Sequence, residues 1–239
     1  MRRLALLLLL GSGAVSAETV VPLQPETQAT RSTGLLFELK MGTLVPRVGD
    51  EPGLTSNPYA DVFGNRSMLY GGGEIDFLFW RGYGSAGVGF SAGYAEKYAP
   101  ALLDTGQPSP EKTALILFPL RLSLQYRFDA TWARWRIPLV PYVKAALLAT
   151  PWRVTKGGTT EVVNGQPGNG LKWGYGFTGG VAFVLDVLSE RMAHDLTNDV
   201  GIRHSYIFAE YNFDVSDDFG KHALNLSARW FTFGLGFEF

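Results

Sequence analysis

Apolar and polar residues alternate along most of the chain from residue 34 onward, most plainly at its end. In Trp230-Phe-Thr-Phe-Gly-Leu-Gly-Phe-Glu-Phe239, residues Phe231, Phe233, Leu235, Phe237 and Phe239 share one face of an extended chain. Trp230, Thr232, Gly234, Gly236 and Glu238 share the other. Runs of the same period predict eight strands, near residues 34–42, 70–80, 84–94, 113–128, 138–149, 171–185, 205–215 and 224–239. In the first strand Leu35, Phe37, Leu39 and Met41 oppose Leu36, Glu38 and Lys40. In the fourth, Ile116, Phe118, Leu120, Leu122, Leu124 and Tyr126 oppose Arg121, Ser123, Gln125 and Arg127. Pro119 lacks a ladder donor, so a bulge is expected there. A second bulge is expected near Ala228, where the phase of the last strand changes.

The apolar face carries the large residues, and the other face carries glycine and charge. A soluble edge strand that offered such a face would invite aggregation, whereas a strand between hydrocarbon and a packed lumen would not. The connections support the second arrangement. Those at 43–68, 95–112 and 150–170 are long, and those after the second and fourth strands are short, as in barrels with long outer loops and short periplasmic turns. Residues 187–200 depart from this, and the spacing of Leu188, Met192 and Leu196 predicts a short helix. The expected fold is all-β: an eight-stranded antiparallel up-and-down transmembrane β-barrel with a short helix between the sixth and seventh strands. Trp80, Tyr83, Trp132 and Trp135 are expected at the periplasmic interface, and Tyr94, Tyr98, Trp152 and Trp173 at the outer one.

The N-terminus changes the picture by adding a compartment. Arg2 and Arg3, the apolar run 4–10 and Val15-Ser16-Ala17 read as a signal peptide over residues 1–17. Residues 18–33 read as a periplasmic leader, and residues 34–239 as the barrel domain. The apolar run is too short for a membrane-spanning helix, so strands must do the spanning. The chain has no cysteine, which excludes disulfides, thiolate chemistry and a lipidated cysteine. Its formal net charge is −1, and without Arg2 and Arg3 it is −3, which argues against a nucleic-acid partner.

The expected inward polar set is Glu38, Lys40, Glu74, Asp76, Arg121, Arg127, Lys144, Glu210, Asp214 and Glu238. It reads either as a salt-bridge network that fills a small barrel or as the lining of a narrow path for ions or small solutes. Catalysis by a lipid hydrolase is the weakest reading. His204-Ser205 is the one adjacent Ser/His pair, and neighbours on a strand point to opposite faces. His194, His204 and His222 lack metal-ligand spacing, and the Gly-x-Gly repeats belong to strands rather than to a phosphate loop. No catalytic residue, cofactor or metal is expected.

The mature chain resembles a small outer-membrane β-barrel family met in myxobacterial-type genomes. The resemblance rests on Glu38-Leu-Lys-Met-Gly-Thr-Leu-Val-Pro46, Asp61-Val-Phe-Gly64, Gly87-Val-Gly-Phe-Ser-Ala-Gly-Tyr94, Ile137-Pro-Leu-Val-Pro-Tyr-Val-Lys144, Gly201-Ile-Arg-His-Ser-Tyr206 and residues 230–239. It implies a barrel domain in the cell outer membrane; the expected role is structural or surface contact by a monomer, with membrane lipid and the barrel-assembly machinery as partners and an unknown surface ligand, and the alternative is a narrow channel. It implies no catalytic residue. The strand that ends at Phe239 is also similar to the closing strand of outer-membrane barrels generally, whose terminal aromatic is the signal for assembly.

Overall fold

The computed structural model describes residues 34–50, 53–64, 66–102, 108–163, 165–189, 196–221 and 224–239. The expected signal peptide and leader, 1–17 and 18–33, lie outside the described residues. Twelve strand segments form: β1 (Gly34–Leu44), β2 (Met68–Arg81), β3 (Ser85–Leu102), β4 (Pro108–Leu117), β5 (Leu120–Arg127), β6 (Leu139–Lys156), β7 (Thr159–Thr160), β8 (Val162–Val163), β9 (Gln166–Pro167), β10 (Asn169–Val184), β11 (His204–Val215) and β12 (Ala228–Glu238). The fold is all-β, antiparallel and up-and-down.

Each long strand pairs with its neighbours in sequence: β1 with β2, β2 with β3, β6 with β10, β10 with β11, and β11 with β12. β12 in turn pairs with β1 over eight residue pairs, from Thr43–Phe231 to Leu36–Glu238. Between β3 and β6 lie β4 and β5, stacked end to end. The register crosses the break without a shift. Ala95 faces Leu117 and Ala92 faces Leu120 on one side; Trp152 faces Leu117 and Ala149 faces Leu120 on the other. The bulge expected at Pro119 is therefore absent. Pro119 interrupts the ladder because it has no N–H, and its carbonyl still accepts from Gly93 N–H at 3.0 Å.

The one register shift in β2 lies between Leu78 and Trp80, and it turns Trp80 outward to 47 % exposure. β12 shows no shift. The phase change near Ala228 is where the strand begins, since 224–227 precede it. Two of the expected long loops are largely strand. β3 continues to Leu102 against β4, and β6 continues to Lys156 against β4, β7 and β10. Trp152 is thereby on the inner side of β6, packed against a buried cluster, rather than at an outer interface. Trp132 likewise packs inward. In the expected helix 187–200, residues 185–188 form a 3-10 turn and 196–200 are helical, while 190–195, including Met192, lie outside the described residues.

The connection between β1 and β2 holds a helix, α1 (Pro58–Phe63). Asn57 caps it by accepting from the N–H groups of Tyr59 and Ala60 at 3.1 and 3.2 Å, Pro58 opens it, and Gly64 closes it at φ 62°. The helix delivers Tyr59 to the mouth of the ring. The Tyr59 hydroxyl donates to Arg66 O at 2.6 Å, and its ring packs among Leu44, Met68, Leu115, Leu117, Leu226 and Trp230. No described helix is long and apolar enough to cross a membrane.

Candidate functional site

Alternation sends one residue in two to the inside of the ring. Lys144, Glu38, Glu74, Asp76, Glu210 and Arg127 are buried there, each at 4 % exposure or less. Outward neighbours such as Leu124, Phe177 and Phe233 are at 63, 55 and 56 %. Small residues across the ring make room for the large ones. A Cβ at Gly89 would stand 2.0 Å from Asp76 Oδ1, and one at Gly180 would stand 2.5 Å from the Tyr142 ring.

At mid-height two ammonium groups tie three strands' worth of carboxylates together. Lys144 Nζ lies 2.8 Å from Glu38 Oε2, 2.9 Å from Glu74 Oε1 and 3.4 Å from Glu210 Oε1. Lys40 Nζ bonds Glu74 Oε2 and lies 3.0 Å from both Glu38 and Glu210. The Glu210 carboxylate also accepts from Tyr142 and Thr232, at 3.1 and 2.9 Å. The network then runs outward. Asn212 donates to Thr232, Thr178 to Asn212 and Arg121 to Thr178, and Arg121 forks onto both oxygens of Asp214 at 2.9 Å. The Trp230 indole N–H closes this branch on Asp214 at 2.9 Å. Such a network holds together because most of its buried charges have an opposite charge or a donor beside them.

At the other end of the lumen the pairing is different. Glu238 accepts from Arg81 at 2.6 Å and from Tyr206 at 2.7 Å. Arg127 lies over the rings of Tyr206 and Tyr142, at 4.8 and 5.6 Å, and its Nε reaches Asp129 at 3.5 Å. Asp129 also accepts from Ser85. The ten expected residues are thus all on the inner side, in three groups: Lys40, Lys144, Glu38, Glu74, Asp76 and Glu210 in the middle, Arg121 and Asp214 toward the α1 mouth, and Arg127 and Glu238 toward the opposite rim.

Four pairs escaped the pattern. Arg81 follows the unexpected bulge, and Asp129 with Ser85, Asp218 with Lys172, and Asp186 with His204 join turns to strands. Only contact across the fold reveals them. His204 Nδ1 stands 2.6 Å from Asp186, whose other oxygen accepts from Ser205 N–H; this clasps the 185–188 turn to β11. Phe239 donates its N–H to Leu35 O at 2.8 Å, beyond the last residue of β12. Among the described residues, small voids lie on the inner side: about 30 Å³ beside Arg121, Asp214 and Trp230, and about 10 Å³ beside Lys40, Glu74 and Lys144.

No family model matches the chain, and no curated protein matches it. Similar solved structures include the outer membrane protein OprG from Pseudomonas aeruginosa (TM-score 0.48, 12 % identity, 87 % of this chain and 97 % of that one). Ail, the attachment invasion locus protein of Yersinia pestis, in complex with the heparin analogue sucrose octasulfate, gives a TM-score of 0.45 at 11 % identity over 87 % and 97 % of the two chains. Neisserial surface protein A gives 0.43 at 12 % over 86 % and 94 %.

Proposed function

We propose that the chain is an integral outer-membrane protein: a monomeric, eight-staved, closed β-barrel with a filled lumen and a structural or surface-contact role, not an enzyme. The observation that carries this reading is the inversion of polarity across the sheet. Large apolar side chains stand exposed on one face of strand after strand, while nine acidic or basic side chains are buried on the other. Water as the outer solvent would favour the opposite arrangement, and hydrocarbon favours this one. Counting β4 and β5 as one stave, the pairings pass through eight staves and return to β1, which leaves no open edge for lipid to meet. The voids of about 30 and 10 Å³ among the described residues hold a water molecule or two, which supports a filled lumen.

Beyond the stretch paired with β2, β3 runs on for six residues, Lys97–Leu102, with β4 alongside, a reach of about 20 Å. That hairpin and the one ending in β7 are the surfaces on offer for contact. Lipid and the assembly machinery are the partners this reading requires.

Heat-modifiable gel migration of the outer-membrane fraction tests barrel and location together. Planar-bilayer recording at high protein load tests the filling. A shifted unheated band and a flat trace are expected. Stepwise conductance would overturn the filled lumen in favour of a narrow channel, and mature protein that stays soluble without detergent would overturn the membrane reading. Phe177→Lys, on the exposed face, is expected to cost about 2–4 kcal/mol near mid-bilayer and to remove the folded band from the membrane fraction.

A further inference from the structure

Glu38, Glu74 and Asp76 bring one carboxylate oxygen each within 4.8 Å of one another, and all three side chains are buried. Most of the inner charges are matched, but this corner is not. Glu38, Glu74, Asp76 and Glu210 gather four carboxylates around only two ammonium groups, those of Lys40 and Lys144. Asp76 is at the edge of the knot. It is fully buried, neither of its oxygens accepts a hydrogen bond, and the nearest cation, Lys144 Nζ, is 3.9 Å away. A second side chain is equally unprovided for. Gln125 on β5 is 4 % exposed, and neither its Oε1 nor its Nε2 has a partner. A buried carboxamide with both ends unbonded is costly and calls for a ligand.

The two unprovided groups hang over the same strip of β3. Asp76 Oδ1, Ser123 Oγ and Glu74 Oε1 lie 2.0, 2.7 and 2.9 Å from where a Cβ would stand at Gly89, and Gln125 Nε2 lies 3.3 Å from that point at Gly87. Gly87 and Gly89 are two residues apart on one face, a rise of about 7 Å. Turning the carboxamide over, which costs no bond here, exchanges Nε2 for Oε1 at that place. Ser123 is loosely held as well, with contacts of 3.4 Å to Glu74 and to Gly89 O.

We propose that this corner of the lumen binds one divalent, oxygen-seeking cation of the calcium class, held by Asp76, Glu74 and Glu38 with Gln125 Oε1 and Ser123 Oγ. With Asp76 bidentate the set offers six oxygens, the lower end of calcium's range, and carboxylate oxygens this close need only a small contraction to reach bonds of about 2.3–2.6 Å. Magnesium is disfavoured, because it demands near-ideal octahedral geometry and keeps several waters, whereas the donors here are all side-chain oxygens. Two positive charges bring the four carboxylates and two ammonium groups to neutrality. Lys144 stays on the Glu38–Glu74–Glu210 side, where its short contacts are, and the ion takes the Asp76 side. All five donors are buried, so the ion is captured as the ring closes.

The test is elemental analysis of protein refolded in detergent with calcium or with EDTA and then passed into metal-free buffer. Folding is read separately from the unheated gel band. One calcium per chain is expected for the wild type and for Asp214→Asn, with a drop of about tenfold or more in Asp76→Asn. Should Asp76→Asn fail to give the folded band, Gln125→Leu, which removes no charge, is expected to lower the calcium content. Wild-type protein that folds in calcium and holds none overturns the proposal. So does equal calcium in the wild type and the folded variants at Asp76 or Gln125. Acid-stabilised protein without bound metal also overturns it, since protons would then balance the surplus. None of these readings depends on where the protein resides in the cell.

Discussion

The middle of the lumen and its α1 mouth are filled by opposite means. The mouth is hydrocarbon: Leu44, Tyr59, Met68, Leu115, Leu117, Leu226 and Trp230 pack there with Tyr70 edge-on to Trp230 at 4.6 Å. The middle is charge, drawn from β1, β2, β6 and β11 and cross-linked by Lys40 and Lys144. The mouth keeps water from the middle, and the middle supplies what apolar packing cannot, a directional match between strands far apart in sequence. Lys144 and Glu38 are 106 residues apart. A slip of one residue in any stave would send these charges to the apolar side, so the knot acts against misregistered closure.

That difference predicts different responses to damage. Lys144→Met should have the largest effect. It leaves four carboxylates with one ammonium group, and removing one partner of a buried charge network costs about 3–5 kcal/mol. The unheated folded band should be lost in urea well below the wild-type midpoint. Adding Glu38→Gln to Lys144→Met should recover part of the loss, because it removes an orphaned charge. A double variant weaker than the single one would mean that the knot stabilises by packing alone. In the mouth, Met68→Ala should cost about 3 kcal/mol through the cavity it leaves. No second-site charge change in the middle should rescue it, since no ion pair among the described residues joins the two regions. Gly89→Ala should follow at about 1–3 kcal/mol by overpacking, because the new methyl meets Asp76 Oδ1 and Ser123 Oγ. Its folded fraction should improve when Asp76 is also shortened to Ala.

These expectations also mark how far the sequence reaches. Period-two alternation assigns Leu35 and Leu36, or Leu124 and Gln125, to opposite faces, and the structure places them so. The contrast is strong there because large apolar side chains crowd the exposed face and small or polar ones the packed face. It fades where strands rise past the apolar belt. Lys97–Leu102 and residues 150–156 are strand without a greasy face, so their composition reads as loop. The α1 helix had a local signal in Asn57-Pro58 and Gly64, hidden by a helix of only six residues in a proline-rich stretch. Alternation gives a residue's face but neither its height nor its neighbour across the ring. The inward direction of Asp76 was legible for that reason, and its lack of a hydrogen-bond partner was not.

The smallest effect belongs to the rim beyond the belt of exposed apolar side chains, at a half-buried ion pair. Asp218 accepts from Lys172 Nζ and from Trp173 N–H, both at 2.8 Å, in a turn whose residues 218 and 219 both have positive φ, 55° and 59°. Burial works against its charge, but the bonds from Lys172 and Trp173 outweigh it, so its carboxyl titrates below the ordinary range. A carboxyl lowered by folding stabilises the turn above the unfolded value, about 3.9, and the contribution is lost as pH falls through the folded one. Asp218→Ala should therefore cost only about 0.5–1 kcal/mol, as partly exposed pairs do. The loss should appear as faster amide exchange in residues 217–221, with the Phe219 ring released from its stack on Tyr175. Wild type and variant should converge once the pH falls below the lowered folded value, where the carboxyl is neutral in both states. Exchange in this turn that is equally slow in both proteins at neutral pH would show that the backbone, not the carboxylate, holds Phe219 in its left-handed conformation.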